Sequence, residues 1–184
     1  MGKVRYSMIM SVDGYIEDAD GSFAFAAPAD DVHRASNEEA LGASAFLYGR
    51  GIYEVMEEAW TAAASRDDLP EVEAEFARAY VETPRIVFSD TLESAPDGVQ
   101  IVRRSGAVAE LTRLKQHTEG PLLLGGAGLA ASLADQIDEF RLYVMPVAVG
   151  GGKPFFPAGK RLSLRPAGQR AFESGAVLLR YERP

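Results

Sequence analysis

Residues 121–128 read Pro-Leu-Leu-Leu-Gly-Gly-Ala-Gly, three leucines followed directly by glycines. This pattern predicts a short buried strand that ends in a tight turn. A helix is predicted after the turn, from about Leu129 to Ala134. Two further strands end in comparable turns, Gly49-Arg50-Gly51 and Ser89-Asp90-Thr91. Ligands of open α/β sheets bind at the carboxyl ends of strands, where helix starts offer free N–H groups to phosphate. One such turn is usually only a turn, but three together indicate a phosphate-bearing ligand.

Outward from this stretch, predicted strands and helices alternate along most of the chain. Buried strands are predicted at 4–11, 45–48, 85–88, 99–102 and 121–124, and helices at about 30–43, from 52, from 70 and at 108–117. After residue 140 the pattern changes to strands at 140–147, 162–172 and 176–181, with a hairpin signal at Ser174-Gly175. The alternation predicts a single α/β domain, 1–184, whose mixed, mostly parallel central sheet ends in a C-terminal antiparallel hairpin.

Composition excludes several classes of protein. The chain has 184 residues, 47% of them hydrophobic, and contains no cysteine. Disulfide frameworks, thiolate nucleophiles and cysteine metal sites are therefore excluded. Apolar runs stay well below the ~18 residues of a membrane span, and a net charge of −8 disfavours binding to nucleic-acid phosphates. We therefore expect a cytoplasmic protein with neither a membrane nor a nucleic acid as partner.

The charge is unevenly distributed along the chain. Residues 13–99 carry 20 acidic and 5 basic side chains, whereas residues 141–184 carry 8 basic and 2 acidic ones. Solvated faces that promote solubility are the simplest explanation. The alternative is that the basic C-terminal part frames an anionic ligand or meets an acidic partner surface.

Residues Gly126 to Ala131 also fit the G-x-G-x-x-G/A template of a dinucleotide-binding turn. That template requires an acidic residue about 20 positions later and further βα units. Residues 140–172 contain no Asp or Glu and consist mainly of predicted strands. An ordinary Rossmann domain is therefore disfavoured.

Five motifs, in order along the chain, resemble the dihydrofolate-reductase-like superfamily. They are MIMSVDGYI at 8–16, YGRGIYE at 48–54, VFS at 87–89, LGGAG at 124–128 and the run from 146 to 156 that contains GGGKPFF. The sequence is most similar to the reductase domain of the bifunctional riboflavin-biosynthesis deaminase/reductase and its stand-alone bacterial relatives. The resemblance covers nearly the whole chain and implies a three-layer fold. Nothing resembles the zinc deaminase half, which needs cysteine ligands.

The resemblance implies an NADPH-dependent reductase. Its cofactor-binding residues would be Val12, Gly14, Gly49, Arg50, Gly51, Ser89, Gly125, Gly126, Ala127, Gly128 and Leu129. The turn at 49–51 would bind phosphate, with Ser89 near the adenosine phosphate. The glycine pair at 125–126 would approach the nicotinamide and the pyrophosphate, and in relatives this pair often carries a cis peptide bond. Residues 12–14 would cover the nicotinamide and substrate as a lid that excludes water.

Two carboxylates compete for the catalytic position that faces the substrate. Asp13 lies in a Ser-Val-Asp-Gly run, and Asp30 resembles the helix acid that grips the pterin ring in folate-reducing relatives. A buried acid there could bind an amino-pyrimidine edge or help to supply a proton after hydride transfer. Alternatively, Asp13 caps a turn, and Asp30 or Asp31 caps a helix. Asp31 and Trp60 are candidate substrate-binding residues, although Trp60 equally fits the role of a packed aromatic.

The leading hypothesis is an NADPH-dependent reductase that transfers a hydride to a C=N or C=O bond of a small substrate. That substrate would be heterocyclic (pterin- or pyrimidine-like) or sugar-linked. Two alternatives stay open: a nucleotide-binding protein of the same fold without turnover, and a flavin- or deazaflavin-dependent reductase. The resemblance to riboflavin-pathway reductases implies a homodimer whose face the apolar C-terminal strands could supply, and a covered sheet edge is the alternative for these strands. No metal site is expected, and His33 and His117 lie on separate predicted helices, which disfavours a hydrolase triad.

Overall fold

One eight-stranded sheet runs through the computed structural model, which describes all residues from Met1 to Pro184. Its strands are β1 (Val4–Ser11), β3 (Ala45–Gly49), β4 (Arg85–Phe88), β5 (Val99–Val102), β6 (Leu122–Gly125), β7 (Glu139–Met145), β9 (Arg165–Ala171) and β10 (Val177–Glu182). A separate ribbon pairs β2 (Tyr15–Glu17) with β8 (Lys153–Pro154). The order in the main sheet is β5-β4-β3-β6-β1-β7-β10-β9. The first six strands in this order are mutually parallel, whereas β10 runs antiparallel to both β7 and β9.

Five helices cover the two faces of the sheet. They are α1 (Asp30–Leu41), α2 (Arg50–Ala63), α3 (Glu71–Glu82), α4 (Ala107–His117) and α5 (Ala127–Ser132). Successive side chains of a strand point to opposite faces, and the neighbours Leu47 and Tyr48 of β3 show the result. Leu47 packs in the core shared with α4 and α5, while Tyr48 packs in the core shared with α1, α2 and α3. The predicted α/β fold, with a mostly parallel sheet between two helical layers, is confirmed.

Helix α1 also reaches the C-terminal part of the sheet. Its Val32 and Ala35 are buried against Tyr143 of β7 and Leu178 of β10. One helix therefore borders both the central strands and the antiparallel pair, and this position matters for the cavities described below.

Three details differ from the sequence-based expectation. The strand predicted at 162–172 is shorter, since β9 spans Arg165–Ala171, and all its residues are exposed. The helix predicted at 129–134 begins at Ala127 and ends at Ser132. The ribbon of β2 and β8 was not predicted, because strands of three and two residues are too short to show a hydrophobic period.

Candidate functional site

A cavity of about 770 Å³ opens where β3, β4 and β6 end. Of the 35 residues that line it, 22 are hydrophobic, so most of its wall suits an apolar ring. The remaining residues supply polar groups at a small number of positions. Eight of the predicted cofactor-binding residues line this cavity: Gly49, Arg50, Gly51, Gly125, Gly126, Ala127, Gly128 and Leu129. The other predicted site residues lie outside it: Val12, Asp13, Gly14, Asp30, Asp31, Trp60 and Ser89.

The start of α2 forms one polar point of the cavity. Gly49 has an extended conformation with ψ of 164°, and no side chain caps the helix. The first N–H groups of a helix have no partner within the helix, and its dipole favours an anion at this end. A Cβ added at Gly51 would meet nothing within 4 Å, so the backbone there is open to a ligand. This arrangement suits a phosphate group.

Arg50 adds a cation beside this helix start. Its Nε lies 2.6 Å from Glu54 Oε1, and its Nη1 donates to Thr91 Oγ1 at 3.0 Å. These two contacts orient the guanidinium while leaving its side chain about half exposed. A second arginine, Arg104, also lines the cavity and donates its backbone N–H to Asp90 at 2.9 Å.

Ser89 is buried and holds the turn after β4. Its Oγ accepts N–H bonds from Thr91 at 3.2 Å and from Leu92 at 3.0 Å. Because Thr91 in turn contacts Arg50, Ser89 influences the cavity by shaping this turn.

The glycine pair at the end of β6 forms a second polar point. A Cβ at Gly125 would lie 2.9 Å from the ring of Tyr48, so only glycine fits beside that ring. Gly126 has a φ of +95°, a conformation that glycine adopts readily and other residues rarely. The cis peptide bond that relatives often carry at this pair is not present, since all peptide bonds are trans, and the turn is made with the positive φ of Gly126.

Glu39 is a cavity residue that the sequence analysis missed. It is 6% exposed and lines the cavity from α1. Its Oε1 accepts hydrogen bonds from Arg141 Nη1 at 2.8 Å and from the Tyr143 hydroxyl at 2.7 Å. Its Oε2 is buried without a partner. Burial, reinforced by the Glu39 charge, raises the pKa of Tyr143, so this hydroxyl stays protonated and donates to Glu39.

Asp13 holds a loop together outside the cavity. Its carboxylate accepts N–H bonds from Val149 at 3.1 Å and Gly150 at 2.7 Å. A hydrogen bond from Ser11 and these backbone amides hold the pKa of Asp13 below its usual range. Neighbouring Val12 is exposed, and Gly14 has a φ of +98°. The loop that follows does reach the cavity, through Ile16, Glu17, Phe23 and Ala26.

The two acids at the start of α1 have different surroundings. Asp30 is exposed and pairs with Arg34 at 3.6 Å, one helical turn away. Asp31 accepts the N–H of Val32 at 2.8 Å and the N–H of Ser174 at 3.0 Å, so it ties the helix to the β9–β10 hairpin. The Ser174 amide is the main reason that the pKa of Asp31 is lowered. Neither acid lines the cavity.

Trp60 packs against Phe76 with ring centroids 4.5 Å apart and against His33 at 5.9 Å. It belongs to the aromatic layer between α2 and α3, and Phe76, rather than Trp60, lines the cavity. No three acidic or histidine side chains lie close enough together to hold a metal ion. None of the helices combines the length and apolarity needed to cross a bilayer.

The sheet order and the crevice at the strand ends define a dihydrofolate-reductase-like fold. Dihydrofolate reductase from Enterococcus faecalis, solved with NADP(H), superimposes on 99% of this chain and 96% of its own, with a TM-score of 0.60 and 15% identity. Residues 2–178 match the family model of the RibD C-terminal domain, and the chain belongs to this family.

Two further similarities extend over nearly whole chains. The structure of a putative riboflavin biosynthesis protein from Shewanella sp. PV-4 covers 100% of this chain and 99% of its own, with a TM-score of 0.72 and 20% identity. The uncharacterized protein YyaP of Bacillus subtilis (strain 168) is 26% identical over 183 residues, which are 97% of this chain and 94% of that protein.

Proposed function

We propose that this protein is an NADPH-dependent reductase that delivers a hydride to a C=N or C=O bond of a small pterin-like, pyrimidine-like or sugar-linked substrate. The observation that carries the proposal is the single cavity that joins an open helix start, a glycine pair and a buried carboxylate. Membership of the RibD C-terminal domain family and the fold shared with a dihydrofolate reductase support it.

The residues present fit a dinucleotide. Gly51 and Gly128 leave the backbone open, since a Cβ at either position would meet nothing within 4 Å. Arg50 contacts Thr91 and Arg104 contacts Asp90, so both cavity-lining arginines lie at the turn after β4, where their positive charge suits phosphate groups. Gly125 has no side chain and lies close to Tyr48, so a planar ring of a ligand could approach the backbone at the end of β6. NADPH, when bound, supplies the hydride.

Glu39 distinguishes the substrate end of the cavity. A buried carboxylate oxygen without a partner is costly unless a donor completes it. An N–H-bearing heterocycle supplies such donors, and the apolar walls around Glu39 bury the ring and exclude water. Glu39 would therefore bind and orient the substrate, while Asp13 and Asp30 stay predictions for the catalytic role.

A cofactor titration tests the proposal. Protein-bound NADPH fluorescence and thermal shift should both respond with a Kd below about 1 mM, near the upper end of common enzyme affinities. NADPH consumption is then followed against a panel of dihydropterins, aminopyrimidinones and sugar-linked imines. No response of either signal to NADPH would contradict the proposal.

The same experiment separates the other two hypotheses. Tight NADPH binding with no consumption across the panel would indicate a nucleotide-binding protein without turnover. Visible absorption of the purified protein, or NADPH-independent binding of a flavin or deazaflavin, would indicate the other cofactor class. We also propose a homodimer through the C-terminal strands, which light scattering of the purified chain tests directly.

A further inference from the structure

A second cavity, of about 260 Å³, lies between the C-terminal half of α1 and the C-terminal part of the sheet. It differs from the first in being strongly charged. Its charged lining residues are Arg5, Arg141, Arg170, Arg180, Glu38 and Glu39. Three of these arginines come from the basic segment 141–184, so part of the excess positive charge of that segment is concentrated at this cavity.

Three of the four arginines have a carboxylate partner. Arg5 Nε lies 2.9 Å from Glu139, and Arg141 Nη1 lies 2.8 Å from Glu39. Arg170 is 3.7 Å from Glu38, with both side chains well exposed. Four arginines and two glutamates therefore line one small cavity, and the third carboxylate partner, Glu139, lies outside its lining.

Arg180 is the unpaired cation. Its guanidinium forms neither an ion pair nor a hydrogen bond, and its Nε is buried without an acceptor. A buried donor without an acceptor costs free energy, and a charged one costs more. The guanidinium lies beside Gly168 of β9, close to where a Cβ would stand, so the glycine leaves room for Arg180 in its present conformation.

The sheet register adds a second unfavourable contact. Arg180 of β10 and Arg141 of β7 are direct partners in the antiparallel ladder, so their side chains leave the same face side by side. Like charges at directly opposed positions repel each other. Glu39 pairs with Arg141 at 2.8 Å, whereas Arg180 has no carboxylate partner.

We propose that this cavity binds a small oxyanion, a phosphate or the phosphate group of a phosphomonoester, between Arg180 and Arg141. Such a ligand has several acceptor oxygens, which match the fork of N–H donors of an arginine. It would supply the acceptor that Arg180 Nε lacks and separate the two facing guanidinium charges. The site is separate from the nucleotide crevice and shares only Glu39 with it, so it does not depend on the proposed reductase function.

Thermal unfolding in inorganic phosphate, with sodium chloride adjusted to constant ionic strength, tests this assignment. We expect phosphate to raise the melting temperature of the wild-type protein in a saturable way that chloride does not reproduce. Arg180→Gln should weaken phosphate binding about tenfold or more, because it removes the charged fork. Arg161→Gln, the same change at an exposed arginine of the basic segment, should leave the phosphate response intact.

Two additional variants distinguish phosphate binding at Arg180 from binding in the nucleotide crevice and from a purely structural role of this arginine. Gly51→Asp places a negative charge at the start of α2 and should retain the phosphate response, which locates that response outside the nucleotide crevice. Arg180→Lys keeps the charge without the fork and should bind phosphate with intermediate affinity. In chloride alone, Arg180→Gln should be at least as stable as wild type, because it removes a repulsive, unpaired charge; a purely structural Arg180 would give the opposite sign.

The source of the phosphate is resolved by comparing inorganic phosphate with ribose 5-phosphate by calorimetry. Tighter binding of the ester identifies a phosphorylated metabolite as ligand, and equal or weaker binding identifies the free ion. The proposal is overturned if Arg180→Gln retains the wild-type phosphate response. It is also overturned if phosphate has no effect while Arg180→Gln changes the oligomeric mass in light scattering, since the cavity then accepts an acidic group of a second copy.

Discussion

Glu39 combines two properties that seldom occur together, a charge and almost complete burial. Its partners Arg141 and Tyr143 lie more than 100 positions away in the chain, on the strand β7. They satisfy one carboxylate oxygen, whereas the other is buried without a partner. If the proposed function holds, this residue is the one that would select substrates carrying N–H donors.

Replacement of Glu39 by Gln tests this role with 2,4-diaminopyrimidine as the probe. We expect its Kd to rise at least about tenfold, because a charge-assisted hydrogen bond is lost, while the Kd for NADPH changes by less than about twofold. Stability should fall by about 1–3 kcal/mol, since Arg141 loses its charged partner. Glu38→Gln, one position away and mostly exposed, is the matched control. Equal binding of the probe to wild type and Glu39→Gln would remove Glu39 from the substrate site.

Glu39 could not be identified from the sequence. It lies inside a helix next to Glu38, in a pattern typical of a solvated face, and nothing local distinguishes the two acids. Only the pairing of β7 with β1 and the position of α1 across the sheet bury one of them. Asp30 and Asp31 likewise could not be told apart from the sequence. The structure distinguishes them because only Asp31 accepts the N–H of Ser174, which lies in the distant β9–β10 hairpin.

At the scale of single elements, the start of α2 can be tested without damage to the helix. Gly51→Asp should weaken NADPH binding about tenfold or more, because a carboxylate would face the phosphates. The same change should leave the protein equally or more stable, since an acidic residue in the first turn favours the helix. Gly51→Asn has the same shape as Gly51→Asp without the charge and is the control for size. NADPH affinity that is equal in the two variants would show that phosphate does not bind at this helix start.

The contact between α1 and the β9–β10 hairpin gives a second prediction at this scale. Asp31→Asn should lower stability more than Asp30→Asn does, because an amide group replaces the oxygen that accepts the Ser174 N–H. Asp30→Asn should change stability by less than about 0.5 kcal/mol, because its pair with Arg34 is exposed. Chemical denaturation at pH 7 compares the two. The difference should begin to shrink as the pH falls below the ordinary pKa of an aspartate and vanish only below the lowered pKa of Asp31, since this side chain stabilises the fold only while it is charged.

The elements that the sequence predicted well are those with a strong local signal. The leucine run of β6 and its glycine turn, and the apolar stripe of α4, are examples. The elements that it missed, such as β2 and β8, exist only because Tyr15 and Glu17 meet Pro154 and Lys153 across the fold. Gly49, Arg50 and Gly51 could be placed in the crevice from sequence, because the strand before them and the helix after them are both clear.

At the scale of the whole molecule, stability should depend on pH through His33. Burial against Trp60 and Phe76 holds the pKa of His33 below its ordinary value, although the nearby Glu73, Asp30 and Glu75 act in the opposite direction. The unfolded chain therefore takes up this proton at higher pH than the folded one does. The contribution of His33 to folding stability is fully present above the ordinary pKa of a histidine, about 6.5. This contribution is lost as the pH falls toward the lower pKa of His33 in the folded protein.

The variant His33→Phe keeps a ring between Trp60 and Phe76 but cannot be protonated. We expect urea unfolding of the wild type to show a loss of stability between pH 7 and pH 5, and this slope to be smaller in the variant. An unchanged slope would assign the pH dependence to other groups.

The strand β9 has a consequence for how copies of this protein can meet. It forms one edge of the sheet and all its residues are exposed, which ordinarily invites another strand to pair with it. Pro166 has no N–H to donate, and Arg165 and Arg170 would bring two sets of positive charges into one short ladder. A continuous sheet extending across two molecules is thus disfavoured at this edge, so a dimer built from the C-terminal strands would pack side-chain surface against side-chain surface.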